Sequence, residues 1–182
     1  WQFIKDNEIA NVDDFLSQIE RAERVSIPHT WNVEDVVDEG KGFYRGAGWY
    51  SKEVRIPSSY KDKQVFLYFE GVATATEVYI DSKQVLQRVG GFTRFVVPVT
   101  PHITFDEASE FTTFNVVVKG DNSYHDDWPT LHADFTFFGG LAKFGFCQHL
   151  ASCFCRNTSL CYDCVNVFCF QSQGEWVSGW IT

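Results

Sequence analysis

An antiparallel β-sandwich of jelly-roll type is the fold this sequence predicts, and three observations carry it. Segments 49–57, 65–72, 77–85, 92–99 and 111–118 are short and rich in Val, Ile, Phe, Tyr and Thr, and they alternate apolar with polar residues as half-buried strands do. Between them stand turn formers, Pro57-Ser58-Ser59, Asp81-Ser82-Lys83, Gly90-Gly91 and Gly120-Asp121-Asn122, at spacings too short for a helical crossover. Finally, a single segment, 13–23, has helical periodicity, with Phe15, Leu16 and Ile19 on one side. The expected class is therefore all-β.

The first strand, 49–57, follows a Gly-rich string, and 65–72 ends in Glu70-Gly71-Val72. The 77–85 segment contains its own turn at Asp81-Ser82, so it is read as a hairpin. Segment 92–99 opens just after Gly90-Gly91, and these two glycines, with Gly46 and Gly48, are expected to supply backbone angles closed to other residues. No Lys-Ser/Thr or helix signal follows Gly90-Gly91, so it is not a phosphate loop. Strand 111–118 closes the alternating region.

Composition narrows the function. The 182 residues suit one domain and are too few for a complete (β/α)₈ barrel, which takes about 250. A net charge of −9 with no Lys/Arg cluster opposes nucleic-acid binding. No apolar run reaches the ~20 residues of a membrane span, so no membrane partner is expected. The chain starts at Trp1 and contains no Met, which reads as a fragment.

Five strings carry more information than composition: 27–32 (Ile-Pro-His-Thr-Trp-Asn), 43–50 (Phe-Tyr-Arg-Gly-Ala-Gly-Trp-Tyr), 69–72 (Phe-Glu-Gly-Val), 90–95 (Gly-Gly-Phe-Thr-Arg-Phe) and 134–140 (Asp-Phe-Thr-Phe-Phe-Gly-Gly). As an ordered set they resemble the N-terminal sugar-binding domain of glycoside hydrolase family 2, most of all in its bacterial β-galactosidases, over residues 1–140. The resemblance implies a galactose-binding-like jelly roll placed before an immunoglobulin-like domain and a catalytic barrel. It implies retaining hydrolysis of terminal β-galactosides by two Glu residues of that barrel. No residue of this chain inherits either role, so this chain alone is expected to be inactive and without a cofactor. The implied partner is a β-galactoside held jointly with the barrel. β-Glucuronidase and β-mannosidase relatives, or a self-sufficient carbohydrate-binding module, are the alternatives. The sequence does not set the compartment.

The resemblance also implies a substrate contact at Asp134, just before the aromatic-Gly-Gly string. An ionised carboxylate accepts charge-assisted hydrogen bonds from two sugar hydroxyls, whereas without the resemblance the same residue reads as a turn or capping Asp. Trp128 could stack on a pyranose or plug the loop. His132 is a weaker candidate, with no second His at ligand spacing. Arg45 is either a ligand contact or an interior ion-pair partner of a strand carboxylate such as Glu70, and the ion pair is the favoured reading.

The chain departs from the family in two places. Ile80-Asp81-Ser82 stands where relatives read Val-Asn-Gly, so the hairpin is expected to persist with a different turn. Beyond Gly140 the expected closing strand gives way to a region with all six Cys and four charged residues, against 35 charged residues in 1–140. Residues 141–182 are expected to lie past a frameshift or truncation, leaving the sandwich incomplete at its C-terminal end with an unpaired edge. The alternatives are a zinc cluster of Cys153, Cys155, Cys161 and Cys164, with His149 or Cys147, or a disulfide framework.

Overall fold

The structure is a computed structural model that describes residues 1–33, 35, 43–91, 93–124, 137–149 and 167–170, with only the backbone described for 142–149 and 167–170. Eleven strands are described: β1 (Gln2–Lys5), β2 (Glu23–Arg24), β3 (His29–Thr30), β4 (Ala47–Pro57), β5 (Gln64–Ala73), β6 (Ala75–Ile80), β7 (Lys83–Val89), β8 (Phe95–Pro98), β9 (Phe111–Asp121), β10 (Gly140–His149) and β11 (Val167–Phe170). They form two sheets, one ordered β2-β1-β4-β9-β6-β7 and one ordered β11-β10-β5-β8 with β3 on β10. All described pairings are antiparallel except β10 with β11. The molecule is an all-β sandwich.

The sandwich interior follows from the alternation. Val54 and Ile56 of β4, Val65, Leu67 and Phe69 of β5, Val97 of β8 and Phe114, Val116 and Val118 of β9 all point inward and are buried together. Phe69 stacks on Phe95 with ring centroids 4.6 Å apart. Each such side chain contributes roughly 1.5–3 kcal/mol by leaving water.

Alternation fails where a second layer covers the first sheet. Val117 lies between two inward valines and is itself 1% exposed, because its face packs with Ile4, Ile9, Val12, Phe15, Trp49 and Tyr79. The cover is α1 (Val12–Ser17), continued by a 3₁₀ turn over Ile19–Arg21. Asn11 caps α1 by accepting the Asp14 amide at 3.0 Å, and Phe15 stacks on Trp49 at 5.5 Å. The expected helix over 13–23 is thus shortened, since Gln18 leaves helical geometry. Six residues suffice because their stability comes from burying Phe15 rather than from propensity.

The 77–85 segment resolves into β6 and β7, joined by Asp81 (φ 46°) and Ser82 (φ 64°). Both central residues hold the positive φ of a type I′ turn without glycine. Asp81 is fixed from outside: its amide donates to the Asn115 carbonyl and its carboxylate accepts the Asn115 amide at 2.8 Å.

The strand that the sequence reading found missing is present as backbone. β10 begins at Gly140 and pairs with β5 from Ala73 to Gln64, with a bulge near Leu141 and Lys143. Leu141 is fully buried in the core, so the sheet is not left open along β5. Bulk residues alone gave no alternation to announce this strand, because Gly145 and the irregular register interrupt it. Among the described residues no helix is long and apolar enough to cross a membrane.

Candidate functional site

Four stems, at Asp35, Phe43–Tyr44, Asn122–Tyr124 and Phe137–Gly139, meet at one end of the sandwich. What holds these four stems together is a pair of buried amides, Asn32 (0% exposed) and Asn122 (2%).

Asn32 Oδ1 accepts the Gly139 amide at 2.6 Å and Asn122 Nδ2 at 3.2 Å, while Asn32 Nδ2 donates to Asp35 Oδ2 at 2.5 Å and to the Tyr44 carbonyl at 3.0 Å. Asn122 Oδ1 accepts the Gly46 amide at 2.8 Å, and its Nδ2 donates to the Phe137 carbonyl at 2.7 Å and toward the Tyr44 carbonyl at 3.3 Å. Donors face oxygens and acceptors face N–H groups on both side chains, so only this orientation of each amide satisfies its surroundings. Asp35 Oδ2 also takes the Tyr44 amide at 3.0 Å. Thr30 Oγ1 adds a bond to the Gly139 carbonyl at 2.7 Å.

Beside the amides sits Trp31, wedged against backbone. A Cβ on Gly139 would stand 2.0 Å from Trp31 Cζ2, and one on Gly48 2.5 Å from Cζ3. These glycines are needed for close approach. Gly46 is of the same kind, since a Cβ there would meet Asn7 Oδ1 at 1.8 Å, and only Gly90 among the four expected turn glycines has a positive φ (137°). Trp31 Nε1 is buried with no hydrogen-bond partner among the described residues, so shape alone seats the ring.

Arg45 contacts an aromatic ring and a backbone carbonyl. Its guanidinium lies 3.9 Å from the centre of the Phe137 ring and donates to the Asn122 carbonyl at 3.4 Å. An Arg45–Glu70 ion pair is not found among the described residues, where the ion pairs include Arg21–Asp6, Lys61–Glu107 and Lys119–Glu77. Burial lowers the Arg45 pKa and nearby Asp35 opposes that shift. A cation over an aromatic face is weakly hydrated and tolerates this half-buried position, as arginine does better than lysine.

Tyr44 sits on the other side, its hydroxyl 2.9 Å from the Ala47 carbonyl and 3.0 Å from Asn7 Oδ1. Burial first, then the Asp6 and Asp121 charges, push it up to about 12, so it is a neutral donor. His29 Nδ1 lies 2.8 Å from the Tyr50 hydroxyl. Burial also pushes the Tyr50 hydroxyl well above its ordinary range, so it stays protonated. Burial lowers the His29 pKa, with Glu23 acting weakly against it.

Asp134, Trp128 and His132 lie outside the described residues, as do Cys153, Cys155, Cys161 and Cys164. Among the described residues no three His, Cys, Asp or Glu side chains are grouped to hold a metal ion. What sequence reasoning missed is the amide pair. Asn32 was part of a recognised string and Asn122 was read only as a turn former. The available signal is that each stands directly beside a segment rich in charged residues.

Comparison with known proteins agrees with this arrangement. The model of the sugar binding domain of glycosyl hydrolases family 2 matches residues 1–142. A β-glucuronidase of Bacteroides fragilis is 33% identical over 120 residues, covering 66% of this chain and 16% of its own length. A β-galactosidase of Thermoanaerobacter pseudethanolicus is 31% identical over 123 residues, covering 66% and 16%. The crystal structure of a Bacteroides uniformis β-glucuronidase superposes with a TM-score of 0.64 at 29% identity, covering 80% of this chain and 16% of that one. This chain therefore spans about one sixth of the length of such relatives, and it belongs to glycosyl hydrolase family 2 as a sugar-binding domain.

Proposed function

We propose that this chain is the non-catalytic N-terminal part of a family 2 β-glycosidase and helps hold a terminal β-linked sugar while a catalytic barrel, which 182 residues cannot contain, cleaves it. The observation that supports the reading is the double amide clamp: Asn122 and Asn32 fix Phe137 and Gly139, and Asn122 itself begins the other stem of 125–136. Asn122 and Phe137, on either side of the segment carrying Asp126, Asp127, Trp128, His132 and Asp134, are thus joined by a hydrogen bond. Preorganisation of that kind lowers the ordering cost of binding. Asp134 then anchors sugar hydroxyls, Trp128 offers a stacking face, and His132 is a further polar candidate. Arg45 keeps its stem in place from below, through Phe137 and the Asn122 carbonyl.

The glycosidase relatives are named both β-galactosidase and β-glucuronidase, so both chromogenic glycosides are the substrates to test. Purified 1–182 should turn over neither beyond a mock preparation. In the polypeptide that joins this domain to its barrel, Asp134→Ala should lower kcat/KM by about 10²-fold, the loss of two charged hydrogen bonds at ~1.5 kcal/mol each. The substrate whose KM responds identifies the sugar. Unchanged kinetics on both would refute the contact, and turnover by 1–182 alone would refute the non-catalytic assignment.

A further inference from the structure

The two amides join places far apart in sequence: Asn32 with Gly139, |i−j| of 107, and Asn122 with Gly46, |i−j| of 76. They also touch each other. Four apolar side chains stand exposed on the very stems they hold, Val33 at 62%, Phe43 at 41%, Tyr124 at 52% and Phe138 at 46%. At the other end of β4 and β9, Ser58 and Thr112 form a smaller polar group, 2.9 Å apart, in which Thr112 Oγ1 also accepts the Asp106 amide at 2.9 Å.

We propose that Asn32 and Asn122 are positioning residues that couple the stem at 43–46 to the stem at 137–139, so that the two loop bases of the sugar-binding end move as one unit. Neither amide has a polar atom free for a ligand: both oxygens accept, and both NH₂ groups donate to carbonyl or carboxylate oxygens. Their influence on a sugar is therefore transmitted through the stems. Removing Asn122 deletes the acceptor of Gly46 directly, yet Gly139 bonds to Asn32 and not to Asn122. If the hub is one unit, Gly139 must loosen as well, because Asn32 loses its buried partner. A buried network left half satisfied costs more than the one bond removed.

The role in sugar recognition rests on the proposed function; the coupling does not. The test is amide hydrogen exchange by NMR on 1–182 with Asn122→Ala, Asn122→Asp and the control Thr112→Val. Asn122→Ala should raise exchange at Gly46 and at Gly139 by tenfold or more, and Asn122→Asp at Gly139, while Val54, Leu67 and Val116 stay protected. Asn122→Asp keeps the acceptor for Gly46 but loses every donor, so Gly139 should respond to it as strongly. Thr112→Val should lower Tm with no change at either glycine. Loosening confined to Gly46, or equal loosening in the control, overturns the coupling. In the barrel-bearing polypeptide the coupled variants should raise KM about tenfold with kcat within twofold. If exchange responds and KM does not, the coupling stands and the sugar reading of 125–136 fails.

Discussion

The β4–β9 ladder is held in two different ways along its length. From Val54 to Pro57, opposite Phe111–Phe114, one face meets the sandwich interior and the other meets solvent, and stability comes from interleaved apolar side chains. From Ala47 to Gly48, opposite Asp121 and Gly120, the strands instead abut the Trp31 ring and the amides of Asn32 and Asn122. The difference is one of tolerance. Apolar packing is non-directional and yields to volume-conserving change, whereas an indole pressed on backbone and a network of fixed donors yield to almost none.

The largest effect should come from the tightest of these contacts. Gly139→Ala puts a methyl 2.0 Å from Trp31 Cζ2, and the Trp31 ring, also pressed on Gly48, has no room to retreat. A loss of about 3 kcal/mol is expected in chemical denaturation. Gly91→Ala, whose Cβ would lie 3.5 Å from Thr74, should change stability by less than about 0.5 kcal/mol. Equal costs at the two glycines would show that the Trp31 contact is no less tolerant than an ordinary van der Waals contact.

A smaller effect concerns the seam between the sheets at that same end. His29 on β3 belongs to one sheet and Tyr50 on β4 to the other, and their contact is a polar bridge within an aromatic setting that includes Phe3, 4.6 Å from His29. Burial lowers the His29 pKa in the fold, while the unfolded chain keeps a value near 6.5. As pH falls through about 6.5 the unfolded state takes a proton that the folded state refuses, so stability declines until the folded pKa is passed; above 6.5 both forms are neutral and nothing is gained. The Asp6 carboxyl, held below its usual range by the Arg21 hydrogen bond, acts separately: its stabilisation persists above about 4 and is lost only at lower pH. His29→Gln should flatten the decline between pH 6.5 and 5 in urea titrations. An unaltered slope would remove His29 as the acid-sensitive element of the seam.

Legibility of the sequence follows the same division. β4, β5, β8 and β9 are announced by alternation, because each has one solvent face for much of its length. Val116-Val117-Val118 breaks the pattern for a readable reason, the α1 layer behind Val117. β1, β2 and β3 are too short to show a period, and β10 is masked by glycines and a bulge. The amide hub was hidden for a deeper reason: Asn32 and Asn122 pair across 90 residues, and a period of two or 3.6 carries no information about such a partner. Arg45 shows the same limit, since a strand carboxylate and an aromatic ring are equally good guesses until Phe137 is folded beneath it.

The smallest effect lies at the far hairpin and tests whether tolerance really rises away from the hub. Asp81 and Ser82 both hold positive φ, a region that costs an L-residue roughly 1 kcal/mol or more. Asp81 offsets this by accepting the Asn115 amide at 2.8 Å, whereas no hydrogen bond of the Ser82 side chain is present among the described residues. Glycine at 82 relieves the backbone but gives the unfolded chain more freedom, about 0.5–1 kcal/mol in the opposite sense. Ser82→Gly should therefore stabilise by no more than about 0.5 kcal/mol, and Asp81→Gly should destabilise by about 1 kcal/mol through the lost charged acceptor. A Tm that rises for Ser82→Gly and falls for Asp81→Gly would show that this turn is held by one side chain and merely endured by its neighbour. Were both to fall alike, the hairpin would be as exacting as the end of the ladder at Gly139, and the contrast between the two regions would not hold.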